Sequence, residues 1–264
     1  MLGIGIGVGK NGNGEFDSDA QAIINNMSVT PNSARQIIIN DMVVQLKNDG
    51  NWDKLDTLWV MAAHTDQAGG LNWKIPTGTP LTEINTPTFI IDEGFLSDGS
   101  MSYLETNFDP SIDGVNYTQN DCSMGLYCRT NLDENSSDMG MLVTGPTYRN
   151  YIQLRNGGIT YVLMNQGGFE GEVNSSTLGT ISGERTGANA VETFRNGISL
   201  GTHTQVSSAL RTGEHFILAR FNDGGVVNFS NRQLSIAFHG STLNHLTLHN
   251  ALNDYMTSLG KNVV

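Results

Sequence analysis

The chain has 264 residues, of which 14 are basic and 26 acidic, giving a formal charge of −12. Gly, Asn, Thr and Ser supply 103 of the residues. Three of these four types are poor in helix interiors, so long helical bundles are excluded. A membrane-spanning helix needs about 20 consecutive apolar residues, and the sequence contains no such run. The acidic balance, with only 5 Lys, is the reverse of a polyanion-binding face. Neither nucleic acid nor a membrane is therefore an expected partner. An apolar content of 38% still suffices for a packed core. What remains is a soluble, β-rich and loop-rich chain.

Residues 1–14 form a glycine-rich arm. Leu2, Ile4, Ile6 and Val8 alternate strictly with Gly3, Gly5, Gly7 and Gly9. Period two is a strand signal, but a strand with one bare face is weak alone. It suits strand addition to the sheet edge of another chain, so these four apolar residues are the candidate partner-binding positions. GIGIGVGK also has the look of a phosphate loop. That reading needs a preceding strand and a following helix, and here the run opens the sequence, with Lys10 followed by Asn11.

Residues 15–50 read as a helical hairpin. Asp17 or Ser18 can cap a first helix that ends near Met27. Thr30 with Pro31 marks a second start, Ile37, Ile38, Met42 and Leu46 follow at helical spacing, and Gly50 is the stop.

Residues 51–264 read as short strands separated by turns. LDTLWVMAA (55–63) is a buried-strand run. TFIID (88–92), MSYLET (101–106), SMGLYCRT (123–130), GMLVTG (140–145), YIQLR (151–155), ITYVLMN (159–165), AVETFRN (190–196), FILARF (216–221) and QLSIAFHG (233–240) follow. NGG at 156–158, Asn196-Gly197 and NDGG at 222–225 are hairpin turns. Strands this short and evenly spaced predict an all-β sandwich or jelly roll. A final helix is expected after Ser241, with Leu252, Tyr255, Met256 and Leu259 on one face and Gly260 as its stop.

Chemistry-bearing patterns are sparse. Cys122 and Cys128 share parity in one strand at about 20 Å separation, too far for a disulfide, so two reduced thiols and a reducing cytoplasm are expected. His245 and His249 lie four apart with His239 just before them, a spacing that can offer two imidazoles to a metal. HExxH is absent, and hydrogen-bonded structural histidines are the expected outcome. DENSSD (133–138) and NDGG are acidic loops that either hold a hard cation or are solvated turns; the latter is expected. Glu170 and Glu172 share parity, but no third acid follows as in sandwich glucanases, and no GxSxG is present. No catalytic residue, cofactor or metal is therefore expected. Trp52, Trp59, Trp73, Tyr103, Tyr117, Tyr127, Tyr148 and Tyr151 are either core or a sugar-binding surface; aromatics at strand parity are more often core.

One stretch carries a resemblance. AQAIINN, then TPNSARQIIINDMVVQLKNDGNWDKLDTLWVMAAHTDQAGGLNWKIPTG, resembles a segment of bacteriophage tail, fibre and other minor structural proteins. Trp52, Lys54, Leu55, Asp56 and Leu58 match its first motif, and Leu71, Asn72, Trp73, Lys74 and Pro76 its second. SYLETNFDPS (102–111), FRNGISL and LHNALNDYMTSLGKNVV are similar to its downstream elements, so the resemblance spans about residues 17–264. It implies a concanavalin A-like jelly roll in a non-enzymatic virion component, sometimes glycan-binding, and names no catalytic residue. The expectation is a homo-oligomer, with a trimer as the guess from fibre architecture. Residues 1–14 would anchor it to other virion proteins, with host-surface glycan a further partner and assembly in the host cytoplasm.

Overall fold

The computed structural model describes residues 15–264. The arm positions Leu2, Ile4, Ile6 and Val8 lie outside the described residues.

The first helix, α1 (Ser18–Asn25), is capped by Asp17, whose carboxylate accepts from Asp19 N. The second, α2 (Ser33–Asn48), starts later than Thr30–Pro31 suggests, because Asn32 supplies the cap by accepting from Arg35 N at 2.9 Å. Gly50 follows in the left-handed conformation, as a helix stop requires. Short α3 (Asp66–Gly70) precedes most of the strands, and α4 (His245–Ser258) follows them. The cap of α4 is Asn244 and not Ser241, with the Asn244 side chain accepting from Thr247 N.

The strands in chain order are β1 (Leu55–Val60), β2 (Thr82–Ile84), β3 (Thr88–Ile90), β4 (Gly94–Leu96), β5 (Tyr103–Glu105) and β6 (Cys122–Cys128). They continue as β7 (Met139–Thr144), β8 (Thr147–Asn156), β9 (Ile159–Gln166), β10 (Glu172–Val173), β11 (Gly179–Arg185) and β12 (Ala190–Arg195). The last are β13 (Ile198–Thr204), β14 (Phe216–Ile217), β15 (Arg220–Asn222), β16 (Gly225–Val227) and β17 (Gln233–Gly240).

These strands form two sheets. The first runs β13-β12-β11-β6-β17-β4-β3, with β1 also on β17. The second runs β10-β9-β8-β7-β14-β5-β2, with the β15–β16 hairpin attached to β7. Pairing is antiparallel except where β15 runs parallel to β7. The predicted β-sandwich is the observed fold.

Both faces of the first sheet are covered. In β6, Cys122, Met124, Leu126 and Cys128 face the second sheet, whereas Tyr127 joins the helices. In β17 a bulge between Leu234 and Ile236 shifts the parity. Leu234 and Ala237 therefore face inward, and Ile236 and Phe238 face α1, α2 and α4. The helical hairpin and the sandwich thus share a continuous core, in which Leu58, Val60, Val43, Leu46, Leu248 and Leu252 meet. Each such buried aliphatic side chain stabilises the fold by about 1.5–3 kcal/mol relative to exposure.

FILARF is not one strand as predicted. Leu218 takes a left-handed backbone at φ 69°, which ends β14 and redirects the chain into β15. The three expected turns are present, joining β8 to β9, β12 to β13 and β15 to β16.

Candidate functional site

Because helices seal the outer side of the first sheet, the outer side of the second is the sheet face left open. Strand alternation decides what it displays. In β8, Ile152 and Leu154 point into the sandwich core, so Arg149, Tyr151 and Gln153 point outward. In β9, Val162 and Met164 point inward, which leaves Tyr161 and Leu163 outside.

Neighbouring loops raise walls around this face. The β15–β16 hairpin brings Arg220, the segment after it Asn228, the 133–138 loop Asn135, and the segment after β9 Phe169. The result is an open groove of about 370 Å³. Arg220 lies on the Tyr151 ring, 4.6 Å from its centroid. Arg149 lies 5.6 Å from the Phe169 ring. Phe169 stacks on Tyr161 at 4.3 Å and 18°, and remains 47% exposed. Gln153 donates to the Asn135 side chain at 3.0 Å.

This groove differs from the rest of an acidic molecule. No carboxylate lines it. Neither Arg149 nor Arg220 forms an ion pair among the described residues. Burial pushes the Tyr151 phenol up, and the Arg220 and Arg149 guanidiniums beside it oppose that shift. The arrangement provides an exposed ring for a sugar's C–H face, neutral amides for hydroxyls, and two cations.

A second cavity, of about 380 Å³, lies beside β1. The motifs that carry the phage-protein resemblance converge on it, and several of its polar groups are spent on holding nearby backbone. Asp56 accepts from the backbone N–H of Asn116 and of Tyr117. Asn72 accepts from Leu58 N and Lys74 N at 3.1 and 3.0 Å. Lys74 donates to the Trp52 carbonyl at 2.7 Å and sits over the Trp52 ring, and burial lowers its pKa. Behind the wall runs a buried chain. Thr57 Oγ1 is 3.0 Å from His239 Nδ1, and His239 Nε2 is 2.9 Å from His215 Nδ1.

The structure disperses the other candidates. Cys122 and Cys128 are buried free thiols at opposite ends of β6, with burial pushing both up to about 12. His245 and His249 do share one face of α4, but dock it onto β11: His245 meets Ser182 Oγ at 2.8 Å and His249 meets Thr180 Oγ1 at 2.9 Å. His239 is not with them; it faces the sandwich interior.

DENSSD is more than a solvated turn. Asp138 is fully buried against Arg232 at 2.9 Å, and Glu134 lies 3.3 Å from the same guanidinium. Glu172 sits 3.6 Å from His203, in β10. The three tryptophans and the five tyrosines considered as a sugar surface are all buried, as core aromatics are. Only Tyr151 among them reaches the groove. Phe169, Arg149 and Arg220 are not marked by any sequence motif. The one available signal is the parity of ITYVLMN, which places Tyr161 opposite to Val162 and Met164.

No protein-family model matches the chain, and no curated protein matches it. Solved structures do. The receptor-binding domain of a botulinum neurotoxin C/D mosaic serotype aligns over 76% of this chain and 51% of its own, at TM-score 0.50 and 8% identity. A Trypanosoma rangeli sialidase mutant with trans-sialidase activity aligns over 83% and 39%, at TM-score 0.49 and 8% identity. The botulinum neurotoxin serotype D binding domain aligns over 74% and 51%, at TM-score 0.47 and 8% identity. This chain spans about half or less of the length of each. At such identity the likeness is one of fold alone, a β-sandwich.

Proposed function

We propose that this protein is a non-enzymatic, glycan-recognising structural component of a virion, from a tail, a fibre or the capsid surface. One observation carries the recognition half. Three helices seal one sheet, and the other keeps an open groove with Phe169 exposed beside two arginines and neutral amides. An exposed aromatic face with convergent hydrogen-bonding groups is the chemistry by which proteins hold sugars. Most glycosidases use a pair of carboxyl groups, and none lines this groove, which favours binding over hydrolysis. The toxin domain that shares the fold is itself a receptor-binding part of its protein.

The virion half is supported by the sequence resemblance of residues 17–264 and by the arm. In this reading Leu2, Ile4, Ile6 and Val8 add as a strand to another virion protein, and the protein works as a homo-oligomer, a trimer by analogy with fibres.

A glycan array probed with the wild-type domain and with Phe169→Ala tests recognition. The expected result is binding that the substitution weakens by about tenfold or more, with an unchanged melting temperature. Absence of any binding at millimolar saccharide overturns the recognition half. For the virion half, deleting residues 2–9 is expected to abolish incorporation into particles while leaving a folded domain. Normal occupancy of the truncated protein overturns the arm's role.

A further inference from the structure

We infer that the groove takes an acidic saccharide, and that Arg149 and Arg220 hold the carboxylate on its sugar ring. This rests on the glycan-recognition reading above and names the ligand class for the same site.

The starting point is an imbalance. Acidic side chains outnumber basic ones 26 to 14, so an arginine here has carboxylates to pair with. Arg35, Arg129, Arg155 and Arg232 each do so within 4.0 Å. Arg149, Arg185, Arg195, Arg211 and Arg220 form no ion pair among the described residues, and of these five Arg149 and Arg220 share one groove.

Each also keeps donors in reserve, beyond the one that it turns toward the Tyr151 phenol. A guanidinium carries five N–H donors. Arg220 places one on Ser137 Oγ at 3.3 Å, and its Nε is buried with no partner. Arg149 gives one to the Gly167 carbonyl. Meanwhile both side chains are fixed in place, Arg220 by the Tyr151 ring and Arg149 by the Phe169 ring. A fork held against an aromatic ring loses less freedom when it closes on a planar anion.

The surroundings narrow the anion. Phe169 and the amides of Asn135 and Asn228 suit a sugar ring and its hydroxyls. The net charge of −12 repels densely sulfated polymers at long range. A saccharide with separated carboxylates escapes most of that repulsion and still satisfies the two local cations.

The probes are sialyllactose and a hyaluronan hexasaccharide, each beside its carboxyl-reduced counterpart, with lactose as an uncharged control and a heparin hexasaccharide as a sulfated one. Titration calorimetry on the full chain reads the affinities. At least one carboxylated probe is expected to bind about tenfold or more tighter than its reduced form, since a hydrogen bond to a charged group carries that much. Arg149→Gln and Arg220→Gln are each expected to remove most of this preference. The preference is also expected to shrink as salt rises from about 50 to about 300 mM.

Equal affinity for acidic and reduced probes overturns this inference and leaves glycan recognition standing. Tighter binding of heparin than of either carboxylated probe also overturns it. No binding of any saccharide overturns the glycan reading itself. The reduced probes make the comparison on wild-type protein, so a variant that fails to fold does not blunt it.

Discussion

His215 Nδ1 lies 2.9 Å from His239 Nε2, inside the sandwich, with the far nitrogen of His239 held by Thr57. Trp59, Phe108 and Tyr117 pack around the His239 ring, and among the described residues no carboxylate pairs with it to stabilise an imidazolium. Burial pushes His215 down to about 3, and burial together with His215 pushes His239 well below its ordinary value.

The sign of the pH dependence follows. Above about pH 6.5 both imidazoles are neutral folded or unfolded, and the pair has no effect on stability. Below that, the unfolded chain binds protons that the folded chain refuses. Stability therefore falls as pH falls, by about 1.4 kcal/mol per unit for each histidine, until His215 itself titrates near 3. Urea denaturation at pH 7.5 and 5.0 checks this. Wild type is expected to lose about 2 kcal/mol per histidine between them, and His215→Gln less. Equal stability of the wild type at both values contradicts the assignment.

Asp138 holds the opposite kind of buried charge. Both its oxygens accept from Arg232, Ser230 Oγ donates to Oδ1 at 2.7 Å, and Leu154 N donates to Oδ2 at 2.7 Å. Asp138→Ala leaves the buried Arg232 guanidinium with Glu134, at 3.3 Å, as its remaining carboxylate beside carbonyls and hydroxyls, and is expected to cost about 3 kcal/mol. Asp138→Leu with Arg232→Met is expected to recover much of that. Chemical denaturation of the three proteins measures both effects, and a single-variant loss below about 1 kcal/mol counts against the pair's role.

Gly125 sits in the middle of β6, where a Cβ would meet Phe238 Cζ at 2.2 Å and Ser182 Cβ at 2.7 Å. Gly125→Ala is expected to destabilise by about 1–3 kcal/mol through overpacking. Gly187 has open space around the same position. Gly187→Ala is expected to be neutral or to stabilise by up to about 1 kcal/mol through the unfolded chain. Melting curves that rank the two the other way would show that these contacts do not govern the packing.

The sandwich was legible because its hairpins use Asn-Gly and Asp-Gly, and because TFIID, ITYVLMN and QLSIAFHG carry apolar strand residues. The missed central strand, β11, explains the limit of that logic. Its sequence GTISGER reads as turn formers, yet five of its first six contiguous positions, Gly179 to Gly183, are buried. Its outer face packs on polar partners, with Ser182 and Thr180 meeting His245 and His249 of α4, so no apolar alternation marks it. The groove was hidden for a related reason. Arg149, Arg220 and Phe169 come from three separate segments, and only β7, β8 and β15 lying in one sheet bring them together.

Phe16 and Val263, near the two ends of the described chain, both pack on the helix-side core. The groove opens on the far side of the other sheet. The molecule is therefore polar in the mechanical sense: it can be held at one pole and read with the other. A tag, bead or fluorophore joined beside Phe16 or Val263 would sit on the pole opposite the groove, and copies tethered side by side through that pole would all present their grooves in one direction.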